Sequence, residues 1–162
     1  MIVLGVDPGS RRTGYGAIET DGRRHRLVEK GTFAPPGRFE LPARLHFIHA
    51  SLTEVIARLR PAALAVEDVF HAANTRTALV LGHVRGVVLL SGAEAGLPVF
   101  EFPPATVKVQ VTGFGRAEKA QVALMVARLL ELPERGEPGD AADALAVALC
   151  HAHIHRLSGT PA

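Results

Sequence analysis

Four acidic residues occupy positions where a chain ordinarily keeps apolar side chains or simple turns. Asp7 ends the apolar run Ile2-Val3-Leu4-Gly5-Val6, and Glu67 ends a second, Leu64-Ala65-Val66. Asp140 and Asp143 open the last helical segment, Gly139-Asp140-Ala141-Ala142-Asp143-Ala144-Leu145. Carboxylates at the ends of core elements cost free energy unless something cationic meets them. A hard divalent metal is the simplest such cation. Mg2+ takes a few carboxylates, keeps several waters and reaches substrate phosphate oxygens. Two such ions roughly 3.5–4 Å apart activate water and stabilise the leaving oxygen in phosphodiester hydrolysis.

Each acid also has an ordinary reading. Asp7-Pro8-Gly9 is turn chemistry. Strand alternation turns one of Glu67 and Asp68 inward, unless both lie past the strand end in solvent. Asp140 after Gly139 fits a helix N-cap, with Asp143 favourable to the macrodipole. The two acids at i and i+3 also share one helix face and can approach a single metal. The set is more specific than its members, because only one order of elements brings these termini together.

That order follows from periodicity and breakers. Residues 2–7 are nearly all apolar, as in a strand buried on both faces. A second strand runs from Gly14 to Thr20, Asp21-Gly22 signals a hairpin, and Arg26 to Phe33 forms a third strand. Leu41, Leu45, Ile48, Leu52, Val55, Ile56 and Leu59 recur at helical steps, and Pro61 ends that helix. A short strand at 63–67, a long helix from Thr75 to Ala95 and a strand from Leu97 to Phe102 follow. A short helix to Val111 and helices near 118–131 and 140–155 complete the chain. The expected fold class is α/β, a mixed five-stranded sheet flanked by helices on both faces. Neighbouring first and fourth strands would set Asp7 beside Glu67.

Composition narrows the function classes. The 162 residues fit one domain with an aliphatic core, since Trp is absent and aromatics make up 5%. Net charge is +2, and of 18 basic residues only Lys30, Lys108 and Lys119 are lysine. Arginine suits phosphate because its planar fork bonds two oxygens. Cys150 is the only cysteine, which excludes an internal disulfide and fits a reducing compartment. No signal peptide is evident and no apolar run approaches a membrane span, so a cytoplasmic protein without a membrane partner is expected. His151, His153 and His155 lie too far along the last helix to share a metal with Asp140. They read as a solvated or fraying helix end.

With the acids placed, the chain resembles the RuvC-type Holliday junction resolvases of the ribonuclease H-like superfamily. The resemblance spans nearly the whole chain. It is carried by Gly5-Val6-Asp7-Pro8-Gly9-Ser10 with Thr13-Gly14-Tyr15-Gly16, and by Val66-Glu67-Asp68-Val69-Phe70. Leu81-Gly82-His83-Val84-Arg85-Gly86-Val87, Gly113-Phe114-Gly115-Arg116-Ala117-Glu118-Lys119 and Asp140-Ala141-Ala142-Asp143-Ala144-Leu145-Ala146 complete it.

The resemblance implies a single ribonuclease H-like nuclease domain over 1–157, with 158–162 a short flexible tail. It implies Mg2+-dependent cleavage of four-way junction DNA in recombination and repair, with Mn2+ substituting and one or two ions per subunit. Asp7, Glu67, Asp140 and Asp143 match the catalytic, metal-holding acids. A homodimer would make two symmetric nicks, each leaving a 5′-phosphate and a 3′-hydroxyl, and would work with a branch-migration complex. Lys108 and Lys119 match basic positions near the cleaved strand, although a lone lysine is often merely solvated. Phe70 matches an aromatic that stacks on an unpaired base, although it also suits a core position. Asn74 and Arg76 are further DNA-contact candidates. The chain departs from the family pattern at Val80, His83 and His71-Ala72-Ala73, which removes loop cations that Arg76 and Arg85 would compensate.

Two other classes compete. In actin-like nucleotide-binding modules the phosphate loop also follows a strand-ending Asp with Gly and Ser, but two lobes are needed and Glu67 with the Asp pair goes unexplained. In a non-catalytic junction binder nothing would require all four acids.

Overall fold

The fold is described from a computed structural model and covers residues 1–68, 74–132 and 138–157. Five strands form one sheet in the order β3-β2-β1-β4-β5. They are β1 (Ile2–Asp7), β2 (Thr13–Thr20), β3 (His25–Phe33), β4 (Ala63–Glu67) and β5 (Val99–Phe102). The first three pair antiparallel, while β4 runs parallel to both β1 and β5. The helices are α1 (Leu41–Leu59), α2 (Thr75–Glu94), α3 (Pro104–Thr112), α4 (Lys119–Leu129) and α5 (Asp140–Leu157). The mixed sheet and its flanking helices agree with the architecture expected from the sequence. The segment after β5 forms a full nine-residue helix, α3.

Local chemistry sets the element ends. Gly22 takes φ 86° at the β2–β3 turn, and Asp21 Oδ1 accepts the N–H groups of Arg23 and Arg24, both at 2.8 Å. α1 begins with a proline in its first turn and ends at left-handed Arg60, whose N–H reaches the Ile56 carbonyl at 2.9 Å.

Two cores lie on opposite faces of the sheet. Val3, Ile18, Ala65 and Phe102 face α5, with α3 and α4 packed alongside. Leu4, Val6, Ala17, Leu64 and Val66 face α1 and α2, meeting Leu52, Val55, Ile56 and Val88. This alternation is why β1 and β4 read as unbroken apolar runs. It also sends Asp7 and Glu67, two residues beyond Gly5 and Ala65, toward the α5 side.

A helix that is apolar all round is ordinarily buried, yet in α2 only Val84, Val88, Ser91 and Gly92 are. Leu79 and Leu90 are 61% and 51% exposed. One face packs on α1 and the sheet while a second apolar face stays open. By length and composition alone α2 also matches a membrane-crossing helix, which a search for an uninterrupted apolar run misses because Arg76 and Arg85 break the run.

The histidines near the C-terminus are likewise not a solvated end. His151 is 3% exposed and packs against Phe100, with ring centroids 4.6 Å apart, and His153 Nδ1 lies 2.9 Å from the Gln110 carbonyl. Burial, aided by the neighbouring His155, holds His151 down at about 4, so it stays neutral and structural. The last residues, 158–162, lie outside those described.

Candidate active site

The site begins with strand register. β1 and β4 pair through Val6↔Val66, so Asp7 and Glu67 are the next residues on adjacent parallel strands. Their carboxyl groups act directly on each other. Burial, then the charge of Asp143, raises Asp7 above the ordinary carboxylate range. Burial, then the charge of Asp7, raises Glu67 as well.

The third element arrives through glycines. A Cβ on Gly14 would collide with the backbone carbonyl of Asp140. On Gly5 it would collide with the Ala144 carbonyl and sit 2.7 Å from the Ala148 nitrogen, and on Gly16 2.6 Å from Leu145. Gly5 pairs with Gly16 and Asp7 with Gly14, so the three glycines form one bare patch on the α5 side. α5 settles into that patch, which carries its first turn onto the Asp7 rim. The sequence carries a signal for this role: glycine recurs at every second residue, 14 and 16, opposite Gly5 in a buried hairpin.

Asp140 is the first helical residue of α5 and not its cap, since the Asp143 N–H bonds the Gly139 carbonyl at 3.0 Å. Both acids therefore lie in the first turn, where the helix dipole favours negative charge. Asp143 also accepts a hydrogen bond from Lys119 Nζ at 2.9 Å. This bond is the main reason the Lys119 ammonium is held above its ordinary value. Lys119 begins α4, and the Glu118 N–H just before it donates to Gln121 Oε1 at 2.8 Å. Asp7, Glu67, Asp140, Asp143 and Lys119 thus act on one another across β1, β4, α4 and α5.

The remaining candidates are not part of this cluster. Asn74 caps α2, with its Oδ1 accepting the Thr77 N–H at 2.9 Å, and Arg76 is exposed within that first turn. Lys108 is half-buried in the middle of α3. Phe70 and His71-Ala72-Ala73 lie outside the described residues. Arg85 is not a free cation replacing those of the loop, because it pairs with Asp68 and Glu101.

The donor set suits a hard cation. It is all oxygen, it carries more negative charge than Lys119 offsets, and burial with like charge raises Asp7 and Glu67 where a cation would lower them. Among the described residues no three His, Cys, Asp or Glu side chains gather closely enough to form a ready-made metal cage. Mg2+ does not need one, because one or two carboxylates with waters and phosphate oxygens suffice.

Comparison with known proteins agrees with this geometry. The family model for the crossover junction endodeoxyribonuclease RuvC matches residues 3–151. The protein of that name from Pelotomaculum thermopropionicum is 51% identical over 153 residues, which is 94% of this chain and 93% of that protein. That from Syntrophomonas wolfei is 46% identical over 158 residues, 98% of this chain and 92% of its own. Among solved structures, T. thermophilus RuvC in complex with a Holliday junction substrate gives a TM-score of 0.91 at 38% identity, covering 98% of this chain and 96% of that one. The yeast mitochondrial Holliday junction resolvase Ydc2 shares the fold, with a TM-score of 0.69 at 12% identity, covering 96% of this chain and 80% of that one. The chain belongs to the crossover junction endodeoxyribonuclease RuvC family.

Proposed function

We propose that this protein resolves four-way DNA junctions. It acts as a homodimer that places one nick in each of two like-polarity strands, by Mg2+-assisted phosphodiester hydrolysis. The observation that carries the reading is the meeting of Asp7, Glu67, Asp140 and Asp143 from three separate elements beside Lys119. Family membership names the substrate class, which the acids alone do not.

Asp7 and Glu67 are the residues that would hold the cation, with Asp143 and Asp140 completing its surroundings. When bound, Mg2+ supplies the positive charge that activates water and stabilises the leaving oxygen. The chain's own residues do the rest. Ionised together, Asp7 and Glu67 would form a dianionic seat. Lys119, kept protonated by Asp143, presents an ammonium that can neutralise a phosphate at the same rim. Lys108 and Arg76 extend positive charge along the protein for the DNA backbone, whose phosphates supply most of the affinity. Phe70, Asn74 and the branch-migration complex belong to the same reading through the family resemblance, as does action in the cytoplasm on DNA and not at a membrane.

Paired cuts require two sites, and each chain carries one. The open face of α2 offers the second copy a seat. Leu79, Gly82, His83, Gly86, Val87 and Leu90 follow each other at steps of three and four beside Leu45 of α1. Gly82 and Gly86 meet nothing within 4 Å, leaving room for a helix to approach closely.

The purified protein with Mg2+ is expected to cut a synthetic four-way junction symmetrically and leave ligatable ends. Asp7→Asn keeps junction affinity and loses cleavage by at least roughly 100-fold, the scale of losing one preorganised electrostatic group. Cleavage by Asp7→Asn at the parental rate would show that the metal-holding assignment is wrong.

A further inference from the structure

Behind the acid cluster, on the opposite face of the sheet, α2 carries a cation that the reaction does not use directly. β4 turns Ala65 and Glu67 toward α5, and therefore Val66 and Asp68 toward α2. β5 places Phe102 on the α5 side and Val99, hence Glu101, on the α2 side. Arg85 meets both rear-facing acids. Its Nη2 lies 3.3 Å from Asp68 Oδ1 and also pairs with Glu101. The strands are joined at the same level, since Glu67 pairs in register with Phe102 and the Asp68 N–H reaches the Phe102 carbonyl at 2.9 Å. One guanidinium thus grips the acids that flank the Glu67–Phe102 pair, one on each strand.

The grip has a specific consequence. Glu67 and Asp68 are consecutive acids at the end of a strand. A twist or one-residue slip there would exchange them across the sheet and present the shorter carboxylate to the metal side. Arg85 and Asp68 are only 29% and 24% exposed, so their pairing is screened less than that of a surface pair. Both contacts are made by one nitrogen, Nη2, so the guanidinium ties the two carboxylates together at a single point between the strands.

We propose that Arg85 is a positioning residue that, by holding Asp68 and Glu101 on the rear face, fixes Glu67 on the metal-holding face. This rests on the reading of Glu67 as a metal-holding acid and extends it to the residue that aims it. It also links α2, whose outer face seats the second copy, directly to the catalytic strand end.

The test compares full-length Arg85→Met, Arg85→Lys and Glu67→Gln with the parent. A surface control, Arg26→Gln, removes the exposed Arg26–Glu19 pair. Three quantities are read: Mg2+ affinity of the DNA-free protein by calorimetry, junction affinity in chelator, and single-turnover cleavage. Arg85→Met is expected to bind junctions like the parent while Mg2+ affinity and cleavage fall roughly tenfold to a hundredfold, the cost of misplacing a reacting group by about 1 Å. Arg85→Lys recovers part of both, and Arg26→Gln changes neither. Parental Mg2+ affinity and cleavage in Arg85→Met, with Glu67→Gln inactive, would overturn the role of Arg85 and leave the site intact. Parental cleavage in Glu67→Gln would instead overturn the reading beneath it. Should Arg85→Met fail to fold, Asp68→Asn and Arg85→Lys decide. A loss of Mg2+ affinity in both supports the proposal, and parental values in both reject it.

Discussion

Two neighbouring carboxyl groups, Asp7 and Glu67, make the metal-free protein sensitive to pH in an unusual direction. Both are raised above their ordinary values by burial and by like charge. Between the ordinary carboxylate range and those raised values, the folded chain binds more protons than the unfolded one. Stability therefore falls as pH rises through that window, the reverse of the usual salt-bridged Asp or Glu. A divalent cation held by the ionised pair, as proposed, would oppose the loss. With chelator present, the melting temperature is expected to drop by roughly 5 °C between about pH 5 and pH 8. The gain from millimolar Mg2+ should be small at the acid end and largest at the alkaline end. Asp7→Asn removes the repulsion, and should flatten the pH dependence and abolish most of the Mg2+ gain. A melting temperature that rises with pH in chelator would contradict the raised values of this pair.

At the scale of elements, the site is a product of how closely α5 approaches the sheet. Gly5, Gly14 and Gly16 remove the side chains that would hold it off, and Ala144 and Ala148 answer them from the helix. Gly14→Ala puts a methyl against the Asp140 backbone, which has no flexible side chain to move aside. Overpacking of this kind costs about 1–3 kcal/mol. The expected result is a lower melting temperature, by about 3–10 °C, with cleavage reduced further because Asp140 and Asp143 move with the helix end. Gly37→Ala meets nothing within 4 Å and should alter neither property. Unchanged melting and cleavage in Gly14→Ala would mean that α5 does not need the patch. The same elements show what the sequence disclosed. Apolar runs, the Asp21-Gly22 turn and the 3.6 period of α1 reveal strands and helices because burial and turn geometry act locally. The acids at strand ends were legible for the same reason. The mutual effect of Asp7 and Glu67, the Lys119–Asp143 bond and the Arg85 bridge were not, because each depends on distances between elements remote in sequence. His151 misled for a related reason: polar composition near a terminus says nothing about Phe100 waiting on β5.

At the scale of the whole molecule, the exposed stripe on α2 and the need for two cuts point to the same assembly. A helix that leaves Leu79 61% and Leu90 51% exposed keeps an apolar stripe open unless a partner covers it. A twofold contact meets its own copy, so one substitution introduces two like charges at the interface. Leu79→Glu with Leu90→Glu is therefore expected to weaken self-association by roughly 100-fold or more, since about 2.7 kcal/mol suffices for that factor. Sedimentation velocity across a concentration series would read it. Leu124→Glu, on the distant helix α4 and 40% exposed, should sediment like the parent. Because the four acids come from one chain, the separated subunits keep their Mg2+ affinity in calorimetry. What they lose is the pairing of cuts: nicks on opposing strands become independent events, and resolved duplexes give way to singly nicked junctions. A parental sedimentation profile for the double variant would place the interface elsewhere. Monomers that still cut both strands together would remove the argument that paired nicks require paired chains.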